Sequence, residues 1–242
     1  MMTNQELVNR LKSLGYMNLY HANSVSTWCT FLSQGSLLSR HYVDEEGLWQ
    51  TYQASDKTDV EKGVDDDVFL DIMDLHMAFN RKNQYGPVLG VFSVDMLANP
   101  SFHIAITQDN PIYWDDTPEY YSSFEDYILQ LQKSKENRDY YNIAKMMLTI
   151  RSPQKCVTLD YLDFLILDNP HYQIELNGSK FDLFQTAKET LISANSKQSI
   201  EIKARECSPE CECIENYHNN LEKTAFMFMD EISIKHGFHK LH

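Results

Sequence analysis

The sequence predicts an α+β fold, and three observations carry that expectation. Alternating apolar–polar segments and segments with apolar residues at helical spacing are interspersed. They lack the regular strand–helix alternation of a doubly wound parallel sheet. Residues 88 to 93, VLGVFS, form a continuous apolar run that suits a buried central strand. Neither the GxGxxG nor the Walker-type GxxxxGK pattern occurs, so Rossmann and P-loop folds have no support.

The elements follow in order. Leu7, Leu11 and Leu14 recur at helical spacing, and Gly15 is a stop signal. MNLYHA, residues 17 to 22, predicts a short strand. Ser24 can cap a helix carrying Val25, Trp28, Phe31 and Leu32 on one face, ended by Gly35. GSLLSR then predicts an exposed turn. The acidic stretch 41 to 66 predicts a mobile, partly helical insertion. DVFLDIMDLH begins as a strand and turns helical near Asp74. Strands are expected at 88 to 93 and 103 to 107, and a helix over SSFEDYILQLQKSK with Phe124, Ile128 and Leu131 inward. AKMMLTI at 144 to 150 and LDFLILDNP at 162 to 170 predict further strands. YQIEL leads to an Asn177-Gly178 turn, and a helix is expected from about Lys180 to Ala194, including Phe181. SIEIKA alternates as a strand; a Cys-rich turn and a helix around Leu221 to Ile232 complete the chain.

The chain has 242 residues with 43% hydrophobic and 23% charged, which predicts one domain over 1 to 242, its Cys-rich turn and last helix at about 205 to 242. No apolar run approaches the roughly 20 residues of a membrane span, and the amphipathic N-terminus lacks a signal-peptide core. A cytosolic location is expected. The net charge of −14 disfavours broad, sequence-blind nucleic-acid binding, which depends on phosphate neutralisation. It leaves room for a local basic groove. Five cysteines without an export signal argue against a disulfide framework; Cys29 and Cys156 sit in apolar contexts that predict buried thiols.

Four clusters could carry chemistry. Tyr20, His21 and Asn23 end the first strand just before a helix, whose N-terminus favours an anionic group. A histidine there can donate to a ribose or amide; otherwise it is a satisfied structural residue. Asp71, Asp74 and His76 form a second polar group, for which a helix-capping Asp is the plainer explanation. Asp109-Asn110-Pro111 is a turn signature with an Asx option. Cys207, Cys211, Cys213 and His218 could supply three thiolates and an imidazole to a structural zinc, though the spacing is not that of a standard finger.

Several segments, in order from about residue 17 to 151, together resemble the DarT-like ADP-ribosyltransferase toxins. YHANSVSTWCTFLSQGSLLS resembles that family's first strand, helix and turn. DVFLDIMDLH and VLGVFSVDML resemble its next two strands, and Thr107-Gln108-Asp109-Asn110 its Thr-Asp-Gly-Asn loop. The pattern is closer to the transferase of a bacterial toxin–antitoxin–chaperone phage-defence system. The resemblance implies an ADP-ribosyltransferase-like fold of split mixed and antiparallel sheets with flanking helices. It implies NAD as substrate, a nucleic-acid acceptor (RNA favoured over single-stranded DNA) and a cognate antitoxin protein.

Carried over by position, Tyr20, His21, Asn23, Phe69, Asp71, Asp74 and His76 would bind NAD. Arg40 or Arg81 would meet its phosphates, and Asp109 and Asn110 would help form the acceptor face. A transferase acting on a nucleic-acid base predicts stacking on exposed aromatics such as Tyr113, Trp114, Tyr120 or Tyr121, for at least two of which a place in the core is the plainer reading. The family's catalytic glutamate belongs near Ala144, and IAKMML contains none. Either Glu175 or Glu201 supplies the carboxylate, or the protein is a natural pseudoenzyme, or Ala144 replaces a glutamate in an inactivated toxin; the last is preferred. A non-catalytic, zinc-stapled interaction protein of a defence complex and an NAD glycohydrolase are the competing functions.

Overall fold

The computed structural model describes residues 2–115, 117–176, 179–195 and 199–229. Helix α1, Asn4–Ser13, starts at a reciprocal capping box between Thr3 and Glu6 and buries Leu7, Val8 and Leu11. Strand β1 is Asn18–Asn23. The Ser24 hydroxyl then accepts the Thr27 N–H and starts α2, Val25–Gln34, which ends at left-handed Gly35. Helices α3, Arg40–Glu45, and α4, Asp56–Lys62, precede β2, Val68–Leu70. Asp74 caps α5, Leu75–Phe79, as the sequence suggested. Next come β3, Val88–Ser93, β4, Ile104–Ile106, and α6, Phe124–Glu136. Helix α7, Tyr140–Lys145, leads into β5, Leu148–Ile150, and then β6, Leu162–Asp168. The chain continues through β7, Gln173–Leu176, β8, Ser179–Asp182, and α8, Leu183–Ala194. Strand β9, Glu201–Arg205, is followed by α9, Cys213–His218, and α10, Leu221–Phe228.

Strands β1-β3-β6-β9 form one sheet in that order, antiparallel except for the β6–β9 pair. Strands β2-β5-β4 form a second, antiparallel sheet, and β7–β8 a separate ribbon. The α+β class with split mixed and antiparallel sheets is therefore observed. Among the described residues the two larger sheets meet at one backbone bridge. There the Tyr20 N–H reaches the Asp71 carbonyl at 2.8 Å, and the reverse bond spans 2.9 Å. Among the described residues no helix is long and apolar enough to cross a membrane.

Several expectations need correction. Residues 140–145 are helical, so the expected strand from 144 begins only at Leu148. Asp139 caps that helix by accepting the Asn142 N–H at 3.0 Å, and Ala144 and Lys145 are good helix formers. The GSLLSR turn is not exposed: Leu37 and Leu38 are buried, and the Leu37 N–H bonds the Val157 carbonyl. The acidic stretch is tied to the body of the protein: the Thr51 N–H donates to the Thr27 hydroxyl at 3.0 Å, and the Gln53 side-chain amide donates to the Tyr85 carbonyl at 3.0 Å. Phe181 is a strand residue paired with Ile174; the helix starts after Asp182, which caps it. Cys156 is exposed and Cys29 half-buried. The Asn177-Gly178 turn and Ile232 lie outside the described residues.

The core beside β1 depends on one close approach. Gly90 sits opposite His21 in the β1–β3 register. A Cβ at Gly90 would stand 2.3 Å from Cη2 of Trp28. That indole cannot swing aside, because it is fully buried and its N–H donates to the Val88 carbonyl at 3.1 Å. Gly90→Ala is expected to cost about 1–3 kcal/mol through overpacking. Urea unfolding checks this: the midpoint should fall with the m-value unchanged, and an unchanged midpoint would show that the indole yields.

Candidate functional site

Tyr20 and His21 stand where the two sheets join. Neighbouring strand residues point to opposite faces, and these two do. His21 lies against α2, its ring 6.3 Å from that of Trp28 and 5.9 Å from that of Phe31. Burial, then the charge of Asp74, raises the phenol of Tyr20, and the facing Arg205 opposes them only in part. The expectation that both line one wall is thus corrected by the strand's own alternation.

The His21 tautomer follows from its partner. Nδ1 is 2.9 Å from the Phe69 carbonyl oxygen, which can only accept, so Nδ1 carries the proton. Burial holds the imidazole below its ordinary pKa, and the Phe69 bond opposes that only in part. Nε2 is then a buried acceptor, and it has no hydrogen-bond partner among the described residues. The sequence suggested a donor; the geometry makes the free nitrogen an acceptor. Ser26 Oγ, in the first turn of α2, is likewise buried without a partner among the described residues.

The helix start is braced from below. The Ser24 hydroxyl is 2.6 Å from that of Thr51, and Arg40 Nη2 donates to the Thr51 carbonyl at 3.1 Å. Arg40 also pairs with Asp56 at 3.0 Å. Arg81 is exposed, its guanidinium 5.5 Å from the centre of the Phe79 ring. The Asn23 amide oxygen accepts the Ser24 N–H at 2.9 Å. Phe69 is half-buried between the buried Val68 and Leu70.

Asp71 flanks the junction. Burial, then the Asp74 charge, pushes its carboxyl up to about 7. Burial, then the Asp59 charge, raises the phenol of Tyr85, with Asp71 adding a little and the hydrogen bonds to Ser55 and Asn110 opposing it. Asp74 is committed elsewhere: it accepts the His76 and Met77 N–H groups and pairs with Arg205 at 2.9 Å.

The acceptor loop is built on Asp109. Its carboxylate meets Lys145 Nζ at 2.6 Å and the Asn110 N–H at 2.8 Å. Asn110 in turn accepts the Ile112 N–H at 3.1 Å, the Asx geometry the sequence suggested. Trp114 is a correction. It is 4% exposed and its indole N–H donates to the Asp109 carbonyl, so it holds the loop and cannot stack on a base. Tyr113 beside it is 71% exposed. Ala144 is half-buried in the last turn of α7, next to Lys145. Glu201 lies on β9, three strands from β1, and pairs with Lys203; Glu175 is exposed on the separate ribbon. Neither is brought to His21.

A second cluster lies behind the Tyr20 face. His76, Cys207, Cys211 and Cys213 place one donor atom each within 4.8 Å of one another. His218 is not among them; its Nε2 is 3.0 Å from the Pro170 carbonyl. His76 is also corrected from a cofactor-cleft residue to a member of this cluster. Its Nδ1 is 3.0 Å from Asp168 Oδ2. Sequence reasoning missed Asp168, Arg205 and Tyr217, which assemble here. The signal was present: LDFLILD and SIEIKAR each end a strand on a charge, where solvent or a partner must be found.

No protein-family model and no curated protein matches the chain. Solved structures do. The chain has the fold of the DarT ADP-ribosyltransferases, so the resemblance expected from its sequence holds at the level of fold. Thermus sp. 2.9 DarT, in complex with ADP-ribosylated ssDNA, aligns with TM-score 0.52 and 10% identity over 79% of this chain and 95% of that one. Thermosipho africanus DarTG, in complex with ADP-ribose, aligns with TM-score 0.48 and 10% identity over 78% of this chain and 50% of that one.

The Asp71 carboxyl has a pH consequence. In the folded chain it keeps a proton up to about pH 7, where the unfolded chain has already lost it. Its contribution to stability therefore improves as pH falls through 7 and is worst above it. Asp71→Asn is expected to raise the urea midpoint most at pH 8 and clearly less at pH 5, because the penalty disappears only as pH falls below the unfolded carboxyl's value near 4. Equal effects at both pH values would contradict the raised carboxyl.

Proposed function

We propose that the chain binds NAD at the junction of its two sheets and is built to transfer ADP-ribose to a single-stranded nucleic acid. The observation that carries this is His21 Nε2, a buried acceptor without a partner among the described residues, at the mouth of α2 in an ADP-ribosyltransferase fold. It accepts from a ribose hydroxyl or from the nicotinamide amide. Asp71 and Phe69 line the same junction, and Asn23 sits at its rim. Arg40 serves the phosphates rather than Arg81, because its link through Thr51 to Ser24 puts it below the α2 start. Asp109, Asn110 and the exposed Tyr113 face the acceptor, where a base stacks on the tyrosine.

Transfer breaks the bond between ribose C1′ and the nicotinamide nitrogen, and nicotinamide leaves with the bonding pair. The acceptor atom bonds C1′ and gives its proton to a carboxylate, which also stabilises the oxocarbenium-like centre. With Glu175 and Glu201 placed elsewhere, position 144 is the place for that group. It leads into β5, the middle strand of the small sheet, and adjoins the Lys145–Asp109 contact. In this reading Ala144 stands in place of a glutamate, and the chain holds NAD without turning it over. The chain is then the toxin of a toxin–antitoxin phage-defence module with a cognate antitoxin protein. Its sequence pattern favours RNA as acceptor, while the Thermus enzyme's complex carries modified single-stranded DNA.

Two measurements test this. By calorimetry, His21→Ala and Arg40→Ala should each weaken NAD binding about tenfold or more, against less than about twofold for Arg81→Ala. No NAD binding by the unaltered chain would overturn the reading. The second uses Ala144→Glu with labelled NAD and either single-stranded DNA, RNA, protein or no acceptor. Label on a nucleic acid is expected and identifies the acceptor. Free ADP-ribose alone would make the protein a glycohydrolase, and no turnover at all would remove position 144 from the chemistry.

A further inference from the structure

We propose that His76, Cys207, Cys211 and Cys213 hold one structural zinc ion, which staples α5 to the segment between β9 and α9. All four donor atoms lie within 4.8 Å of one another, and three of their separations are already close to those around one ion. His76 Nε2 is 3.3 Å from both Cys207 Sγ and Cys211 Sγ, and the Cys213 and Cys207 sulfurs are 3.2 Å apart. Around zinc, with Zn–S near 2.3 Å and Zn–N near 2.0 Å, the corresponding edges are roughly 3.5 Å and 3.8 Å. A small outward movement of the thiols closes the difference. A disulfide does not describe the pair, because its sulfurs would be bonded at about 2.05 Å.

The outer shell points the same way. Asp168 accepts from His76 Nδ1, which fixes the proton there and turns the Nε2 lone pair towards the sulfurs. Asp168 is 1% exposed and also accepts from Arg205 Nε at 2.7 Å and the Tyr217 hydroxyl at 2.5 Å. A buried carboxylate orienting a histidine in this way is the usual second layer of a zinc site. Three soft sulfurs and one imidazole, with no carboxylate among the donors, select zinc over magnesium or calcium. All four positions are filled by protein, so the ion is structural rather than catalytic.

The staple joins distant parts of the chain, since His76 and Cys207 are 131 residues apart. The backbone draws the same segments together, where the Glu212 N–H donates to the Asn80 carbonyl at 2.7 Å. The ion therefore fixes α5, whose capping residue Asp74 lies three positions beyond Asp71.

The test is metal analysis of the full chain, purified under reducing conditions and assayed by plasma mass spectrometry. One zinc per chain is expected. His76→Gln and Cys211→Ser should each lose most of it, and His218→Ala should keep it. Cobalt exchanged into the unaltered chain should give the intense visible bands and sulfur-to-metal charge transfer of a tetrahedral thiolate site, which does not depend on any variant folding. Chelation should lower Tm by about 5–10 °C. Metal-free protein that gives no cobalt bands would overturn the proposal, as would a Cys207–Cys213 disulfide in the unreduced chain. Retention of zinc by His76→Gln together with its loss from His218→Ala would overturn the ligand set.

Discussion

At the end of β6 the carboxylate of Asp168 is buried with three donors aimed at it: His76 Nδ1, Arg205 Nε and the Tyr217 hydroxyl. Those donors come from α5, β9 and α9, so one side chain ties together three elements far apart in sequence. A buried carboxylate is tolerated only when its charge is balanced and its lone pairs are taken. Arg205 meets that need, and Arg205 also holds Asp74, the cap of α5. Removing the arginine would leave two carboxylates facing each other's neighbourhood without a cation. The position of α5, and with it the chain leaving Asp71, thus depends on this charge balance.

The junction of the sheets sits just in front of that network. A reciprocal bridge between Tyr20 and Asp71 brings β1 beside β2. Strand alternation then sends Tyr20 back towards Asp74 and Arg205 while His21 turns under α2. One residue of the pair thereby supports the structure and the other keeps a nitrogen in reserve. The close approach of Trp28 to Gly90 presses α2 onto the sheet at the same level as His21. That contact determines how deep the histidine lies, and its depth keeps the imidazole neutral and its Nε2 an acceptor.

Local signals were legible where one short segment decides the outcome. Ser24 and Gly35 bracket α2, Asp74 caps α5, and the apolar run 88 to 93 is an interior strand. The failures share a cause. Ala144 and Lys145 sit beside an apolar stretch that suggests a strand, yet Asp139 caps a helix through them. Trp114 is aromatic in a loop, which suggests a stacking surface, yet its indole N–H is needed by the Asp109 carbonyl. His218 lies five residues after Cys213 and has the nearer claim in sequence, yet Pro170 takes it. In each case spacing along the chain was a fair guide to reach but not to direction.

The sequence by itself determined the α+β class, most elements and their caps, and the residue types for anion, carboxylate and thiolate chemistry. These depend on periodicity and on hydrogen bonds made within a few residues. Only the tertiary structure decided that His76 joins the cysteines, that Tyr20 and His21 part company, and that Asp168 anchors His76 together with Arg205 and Tyr217. Those choices follow from strand order and helix placement, which bring side chains together across more than a hundred residues. The desolvation that tunes them exists only once the chain has closed around them.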